Sequence, residues 1–202
     1  LHLCNKNIQQ IKTENITTHN LLVDVCMAAN YEAQSLIPYH DKYKQSNEDS
    51  KICTVLARSF ADIGDIIRGR DLYGGSKKEK EKRDELDDKL KEIFAKIHSG
   101  LSTKNGKKSA KEYYKDDTDG NYYKLREDWW TANRETVWKA ITCSEDLKNS
   151  SYFHATCSDG QSGAQAHDKC RCPKTSGGKA GKGSGNVSIV PTYFDYVPQF
   201  LR

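Results

Sequence analysis

Residues 52–75 read ICTVLARSFADIGDIIRGRDLYGG, and this stretch decides the fold. Its apolar residues Cys53, Leu56, Ala57, Phe60, Ile63, Ile66 and Ile67 recur at steps of three and four, which puts them on one face of a helix. Asn47, Asp49 and Ser50 precede it as candidate caps for the free amides of a first turn. Gly69 and the pair Gly74–Gly75 supply residues that tolerate the left-handed backbone ending a helix. Gly64 stands inside the helical run, where glycine costs about 1 kcal/mol relative to alanine. Asp62, Asp65, Arg68, Arg70 and Asp71 crowd its second half. The expectation is a helix with a neighbour pressed against Gly64 and ionic partners for its charges.

Three further helices are expected around this one. In residues 19–34, Leu21, Leu22, Val25, Cys26 and Ala29 share a face, with Thr17 or Thr18 as cap, and Pro38 kinks or ends the segment after them. In residues 77–99, Leu86, Leu90, Ile93, Phe94 and Ile97 form a stripe. There Glu79–Arg83, Glu85–Lys89, Asp87–Lys91 and Glu92–Lys96 stand four apart, with the acid first. In residues 122–143, Leu125, Trp129, Ala132, Thr136 and Ala140 share one face, and Trp130, Val137 and Ile141 lie beside it. The periodicity puts Trp129 and Trp138 in a core. Residues 100–121 and 158–188 read as flexible polar loops. No strand-like alternation and no internal repeat is visible, so the predicted class is all-α, a helical bundle with long polar loops.

The 202 residues carry 36% hydrophobic and 30% charged residues, enough apolar side chains for a core. No run approaches the ~20 apolar residues of a membrane span, and no signal peptide is visible. Seven cysteines cannot all pair internally. An oxidised chain needs at least one partner elsewhere, and a reduced chain would hold free thiols or a metal. Cys4 lies close to one end, and PQFLR at the other reads as the first turn of a helix, so the chain is expected to be trimmed at both ends.

Candidate chemistries are few. Residues 177–185 are glycine-rich, but a phosphate-binding loop needs Gly-x4-Gly-Lys-Ser/Thr. Ser176 stands where its first glycine belongs, and Gly183 follows Lys182. His167, Cys170 and Cys172, with His154 and Cys157 upstream, match no common zinc spacing. Asp62 and Asp65 could form an acidic pair, yet Arg58, Arg68 and Arg70 offer them ion pairs. No catalytic residue, metal or cofactor is expected. Three glycosylation triplets begin at Asn15, Asn149 and Asn186 and carry no argument, since such triplets arise often by chance.

Charge is more informative. Residues 77–115 hold thirteen Lys/Arg against eight Asp/Glu, and residues 168–182 hold five against one, whereas the whole chain is only +4. Basic character concentrated in two segments reads either as solvated surface or as attraction to polyanions.

Several long motifs carry a resemblance. ARSFADIGDIIRGRDLYGG (57–75) and VPTYFDYVPQFLR (190–202) resemble the two signatures of an alpha-class Duffy-binding-like domain, from the malaria parasite's variant erythrocyte membrane proteins. DWWTANRETVWKAITC (128–143), YFHATC (152–157), HLCNKN (2–7) and NLLVDVCMAANYEAQSLI (20–37) are similar to other parts of it. The match covers nearly the whole chain, and residues 76–121 and 158–188 fit least. The resemblance implies a partial, disulfide-stapled helical domain, with residues 1–45 from its first subdomain and 46–202 from its central bundle. It implies an antigenically variable adhesion module, not an enzyme, on the extracellular face of the infected red cell, anchored through membrane segments outside this chain. Its partners would be a host cell-surface receptor or a sulfated glycan, and host antibodies. On this reading Lys77, Lys78, Lys80, Lys82, Arg83, Lys104, Lys107, Lys108 and Lys111 are the candidate glycan- or receptor-binding residues.

The resemblance also implies a Cys53–Cys157 disulfide. Cys26 on its helix stripe and Cys143 at the end of the tryptophan helix form a second expected pair. Cys4 then looks upstream, and Cys170 and Cys172 look beyond Arg202. The competing reading, from charge and helices alone, is an intracellular basic module that binds nucleic acid or a partner protein.

Overall fold

A computed structural model of the chain describes residues 8, 10–11, 16–49, 51–72, 75–101, 110–115, 120–157, 165–172 and 189–202. These form α1 (Thr18–Lys44), α2 (Ile52–Arg68), α3 (Lys77–Ser99), the single turn α4 (Ala110–Tyr113) and α5 (Tyr123–Ile141). Short 3-10 turns come after them at Glu145–Leu147, Phe194–Tyr196 and Gln199–Leu201. Among the described residues there is no strand, only one isolated bridge between Asp168 and Arg171. The expected all-α class is the observed one.

α2 is the centre. Twelve of its seventeen residues are buried, and it packs against α1, α3, α5 and the 194–196 turn. Its end is the expected one: Gly69 adopts φ +70°, and its N–H closes back on Ile66. Its start differs. Lys51 is the N-cap and gives no side-chain hydrogen bond, in place of the expected Asn47 or Asp49; Ser50 lies outside the described residues. Gly64 has the close neighbour that its position implied. A Cβ there would lie 2.8 Å from Cζ2 of the fully buried Trp130.

α1 runs ten residues further than its apolar pattern suggested and contains Pro38. Thr17 caps it by accepting the Asn20 N–H at 3.3 Å. α1 lies against α5 and α2, with Leu21, Val25, Ala29, Ala33 and Ile37 in the interface. α3 buries the five residues predicted for it. α5 is rotated from its expected setting. Ala132 and Thr136 are exposed, whereas Trp130, Arg134, Val137, Trp138 and Ile141 are buried. The cause is the pair of arginines, Arg126 and Arg134, which face inward and draw the buried stripe to their side. All three tryptophans are core, and Trp130 and Trp138 pack their rings on Phe60 at centroid distances of 5.1 and 5.0 Å.

Those arginines belong to a buried ionic frame that joins α2, α5 and the last segment of the chain. Arg134 holds Asp195 by two bonds, Nε to Oδ2 at 2.8 Å and Nη2 to Oδ1 at 2.7 Å. Trp130 Nε1 also donates to Asp195 at 2.9 Å. Arg68 donates to the Asp195 carbonyl and pairs with Asp65 at 2.9 Å. Arg202 bonds Asp65, and its guanidinium stands 3.6 Å from Asp62. Arg126 bonds the carbonyls of Ile67 and Ile66 at the end of α2 and Asp87 on α3. Asp65 and Asp62 are therefore structural, as an ion-pair reading of them requires.

The disulfides differ from both expected pairs. Cys53 bonds Cys170, and Cys157 bonds Cys172, with Cα separations of 5.5 and 5.2 Å. Cys53–Cys157 is thus replaced. The cause is the loop at 168–172, which turns back onto α2. Trp138 Nε1 donates to the Cys170 carbonyl at 3.1 Å, and the Cys170 N–H donates to Ser150 at 2.9 Å. With Cys170 fixed over Cys53, Cys157 is left to Cys172, whose N–H is tied to Ile189. Cys170 and Cys172 find their partners inside the chain rather than beyond Arg202. Cys26 and Cys143 are free thiols in place of the expected bond, and the Asn30 amide donates to the Cys143 sulfur at 3.0 Å. Burial pushes the Cys26 thiol up to about 11. Cys4 lies outside the described residues.

Candidate receptor-binding surface

The first two turns of α3 carry Lys77, Lys78, Lys80, Lys82 and Arg83 against only Glu79 and Glu81. The four lysines are exposed. Lysine in the first turn of a helix is electrostatically misplaced, because the free amide groups there already present positive charge. Each such cation costs about 0.3–1 kcal/mol at low salt. Ser76, the N-cap residue, makes no capping bond to the helix amides; its hydroxyl bonds the Glu79 carboxylate at 3.3 Å. Helix stability therefore does not account for the lysines. Further along, Asp84, Glu85, Asp87 and Asp88 make an acidic belt that limits the basic surface to the beginning of the helix.

Arg83 differs from the lysines. It is half-buried and bonds Asp71 at 2.7 Å, so it ties α3 to the segment after α2. Asp71 is also held by Gln199 Nε2 at 3.0 Å. Between these parts lies an open cleft of ≈ 400 Å³ lined by Ile66, Gly69, Leu72, Lys80, Arg83 and Asp87, among others. At Gly69, on its wall, the backbone is packed against Arg126: a Cβ there would meet Arg126 Nη1 at 2.8 Å. Burial raises the Asp87 carboxyl, but Arg126 and Lys91 outweigh it and hold the group below its ordinary value. For Asp62 burial prevails over the Arg202 charge, and its carboxyl is raised.

The six candidates among the described residues do not all lie together. Lys104, Lys107 and Lys108 lie outside the described residues. Lys111 is exposed on α4, where its carbonyl accepts a bond from His98 Nε2 at 2.9 Å. His98 is in the last turn of α3, so Lys111 stands about 30 Å along that helix from Lys77. Sequence adjacency had merged Lys111 with lysines from which the length of α3 separates it. Of the cleft residues, Gly69 and Asp71 read from the sequence as a helix terminator and a charge awaiting an ionic partner, and Leu72 carried no signal of its own.

No cluster of histidine, cysteine or carboxylate suited to a metal occurs among the described residues. No described helix is long and apolar enough to cross a membrane.

A family model for the Duffy binding domain matches residues 1–202. The chain belongs to the Duffy-binding domain family. This family consists of binding modules, not enzymes. Solved structures agree. The crystal structure of the NTS-DBL1(alpha-1) domain of Plasmodium falciparum membrane protein 1 (PfEMP1), varO strain, is 37% identical, with a TM-score of 0.67. The match covers 99% of this chain and 40% of that one. A PfEMP1 DBLbeta domain bound to ICAM-1 is 29% identical, with a TM-score of 0.58, over 99% of this chain and 40% of that one. A second PfEMP1 DBLb domain, bound to human ICAM-1, is 34% identical, with a TM-score of 0.52, over 80% and 31%. No curated protein matches the chain. The Duffy-binding family member thus spans well under half the length of its solved neighbours.

Proposed function

We propose that this chain is part of an extracellular adhesion domain that recognises a host cell-surface receptor from the surface of an infected erythrocyte. Family membership and the ICAM-1-bound relatives support the adhesion role. Two disulfides in a described core fit an oxidising compartment and weigh against the intracellular nucleic-acid reading. The observation that carries the site is the crowding of Lys77, Lys78 and Lys80 in the first turn of α3, where the helix end disfavours cations, with Lys82 exposed just after them. Lysine ammonium groups on extended stems bind sulfates or carboxylates at a surface without a pocket. A protein receptor with an acidic patch and a sulfated glycan present the same anionic chemistry. The scaffold supplies position, while the residues around it are free to vary against antibodies.

The test is binding of the labelled protein to red cells and endothelial cells, untreated, heparinase-treated or protease-treated. The proposal expects binding that falls steeply as salt rises, because exposed charges are screened beyond about 8 Å at physiological ionic strength. Loss on heparinase assigns a sulfated glycan, and loss on protease alone assigns a protein receptor. Absence of binding to every host cell tested, or binding indifferent to salt, overturns the assignment.

A further inference from the structure

α1 has apolar residues on both of its sides. Leu21, Val25, Ala29 and Ala33 are buried where it packs on α5 and α2. On the outward side, Val23, Met27 and Tyr31 are 58%, 40% and 46% exposed. A surface helix that buries one face ordinarily presents charged residues on the other. Here the row at spacing four runs through His19, Val23, Met27, Tyr31, Ser35 and Tyr39, and every one is exposed. Of the exposed residues from 18 to 39, none is Lys, Arg, Asp or Glu, in a chain with 30% charged residues. The two acids of this stretch, Asp24 and Glu32, are half-buried and buried. Exposed charge returns only at Asp41 and Lys42.

Folding does not ask for these outward residues. Valine and tyrosine are poorer helix formers than lysine or glutamate, and exposed side chains add nothing to the bundle core. Their composition is that of the centre of a protein interface, where tyrosine and methionine are enriched and charges depleted. Met27, the single methionine of the chain, is a flexible side chain that adapts to the surface set against it.

We infer that this row of α1 is a self-association surface, on which the chain forms a weak two-fold dimer with a second copy of itself. Two observations select that occupant. The first is charge. A two-fold contact sets a face against its own copy, so a charged residue near the axis meets its like. The chain is basic, at +4, and yet the row carries no Lys, Arg, Asp or Glu. The second is spacing. Rows of residues four apart are the ridges that interdigitate when two helices cross at about −50°, and identical rows fit one another. Val23, Met27 and Tyr31 make such a ridge about 12 Å long. In a crossing centred on Met27, Val23 of each copy meets Tyr31 of the other. A ridge of that length buries well under the roughly 800 Å² per partner of a stable interface. The dimer is therefore weak, with a dissociation constant on the order of 100 µM.

Sedimentation velocity on the chain from about 10 to about 500 µM tests this, with a non-reducing gel to detect any disulfide through the free Cys143. The wild-type sedimentation coefficient should rise with concentration while the gel shows no covalent dimer. Met27→Lys alone and Met27→Glu alone should stay monomeric at the highest concentration, because each sets like charges against one another. Their equimolar mixture should associate at least as well as wild type. Both variants should keep the wild-type melting temperature in dilute solution, since the side chain is exposed and both replacements favour a helix. A wild-type chain that is monomeric throughout overturns the inference, whatever the variants do. So does a dimer that both variants retain, which places the contact elsewhere, or a dimer held by an intermolecular disulfide. A mixture that stays monomeric while the wild type dimerises refutes the two-fold contact. Variants that lose host-cell binding while the wild-type chain is monomeric assign the row to a receptor and also overturn it.

Discussion

Replacing Asp195 by alanine should unfold more of this protein than any single surface change. Asp195 is fully buried, and its carboxylate accepts two bonds from Arg134 and one from Trp130. Alanine leaves the Arg134 guanidinium buried without its counter-charge. Breaking a buried pair by removing one partner costs about 3–5 kcal/mol. The rings of Tyr193 and Tyr196 beneath that guanidinium retain part of its stabilisation and favour the low end. The orphaned Trp130 N–H adds about 1–3 kcal/mol and restores the upper end. A loss near 4 kcal/mol is a large part of a typical total of about 5–15 kcal/mol. It corresponds to a fall in melting temperature of roughly 10 °C for a chain this long. Urea unfolding monitored by far-UV circular dichroism measures it. The pair Arg134→Met with Asp195→Leu should recover about half of the loss or more, because apolar replacements leave no buried charge. A loss under about 1 kcal/mol for Asp195→Ala, or a double variant no better than the single, would refute the ionic-frame account.

Gly64→Ala should destabilise by about 1–2 kcal/mol despite its better helix propensity, because its Cβ meets Trp130 at 2.8 Å; a gain in stability would show that the ring moves freely. Peptide mapping without reduction should join Cys53 to Cys170 and Cys157 to Cys172. Removing the first should cost more than removing the second, since it closes 117 residues rather than 15. In the chain-entropy model the values are about 5 and about 3 kcal/mol, and the reverse order would contradict this. Asp87 has a folded pKa below its unfolded value of about 3.9, so its contribution is full above that pH and lost as pH falls through the folded value. The stability advantage of wild type over Asp87→Asn should be constant near pH 6 and shrink below about pH 4, and an advantage unchanged down to pH 2.5 would remove Arg126 and Lys91 as the cause.

Much of this fold was legible because helices announce themselves by period. The stripes of α2 and α3 were read residue by residue, and Gly64 and Gly69 were read with their reasons. α5 was misoriented, since a pattern of apolar residues gives no weight to Arg126 and Arg134, which bury themselves only because Asp87 and Asp195 wait for them across the fold. Asp195 carried no local signal at all; an acid between two aromatics in a short turn reads as surface. Disulfide connectivity is a long-range property for the same reason. The turn that sets Cys170 over Cys53 depends on Trp138 and Ser150, neither of which is near it in sequence. At the candidate site, the lysines were visible as charge, but the separation of Lys111 from those that open α3 required the length of that helix.

The central claim is that the lysines opening α3 serve binding rather than folding, and one variant tests both halves. Lys77, Lys78, Lys80 and Lys82 are replaced together by glutamine, and heparin retention and melting temperature are measured on the same preparation. The account predicts clearly reduced retention with a melting temperature unchanged or raised by a few degrees, because the change relieves repulsion at the helix end. Retention equal to wild type, or a lowered melting temperature, would contradict it.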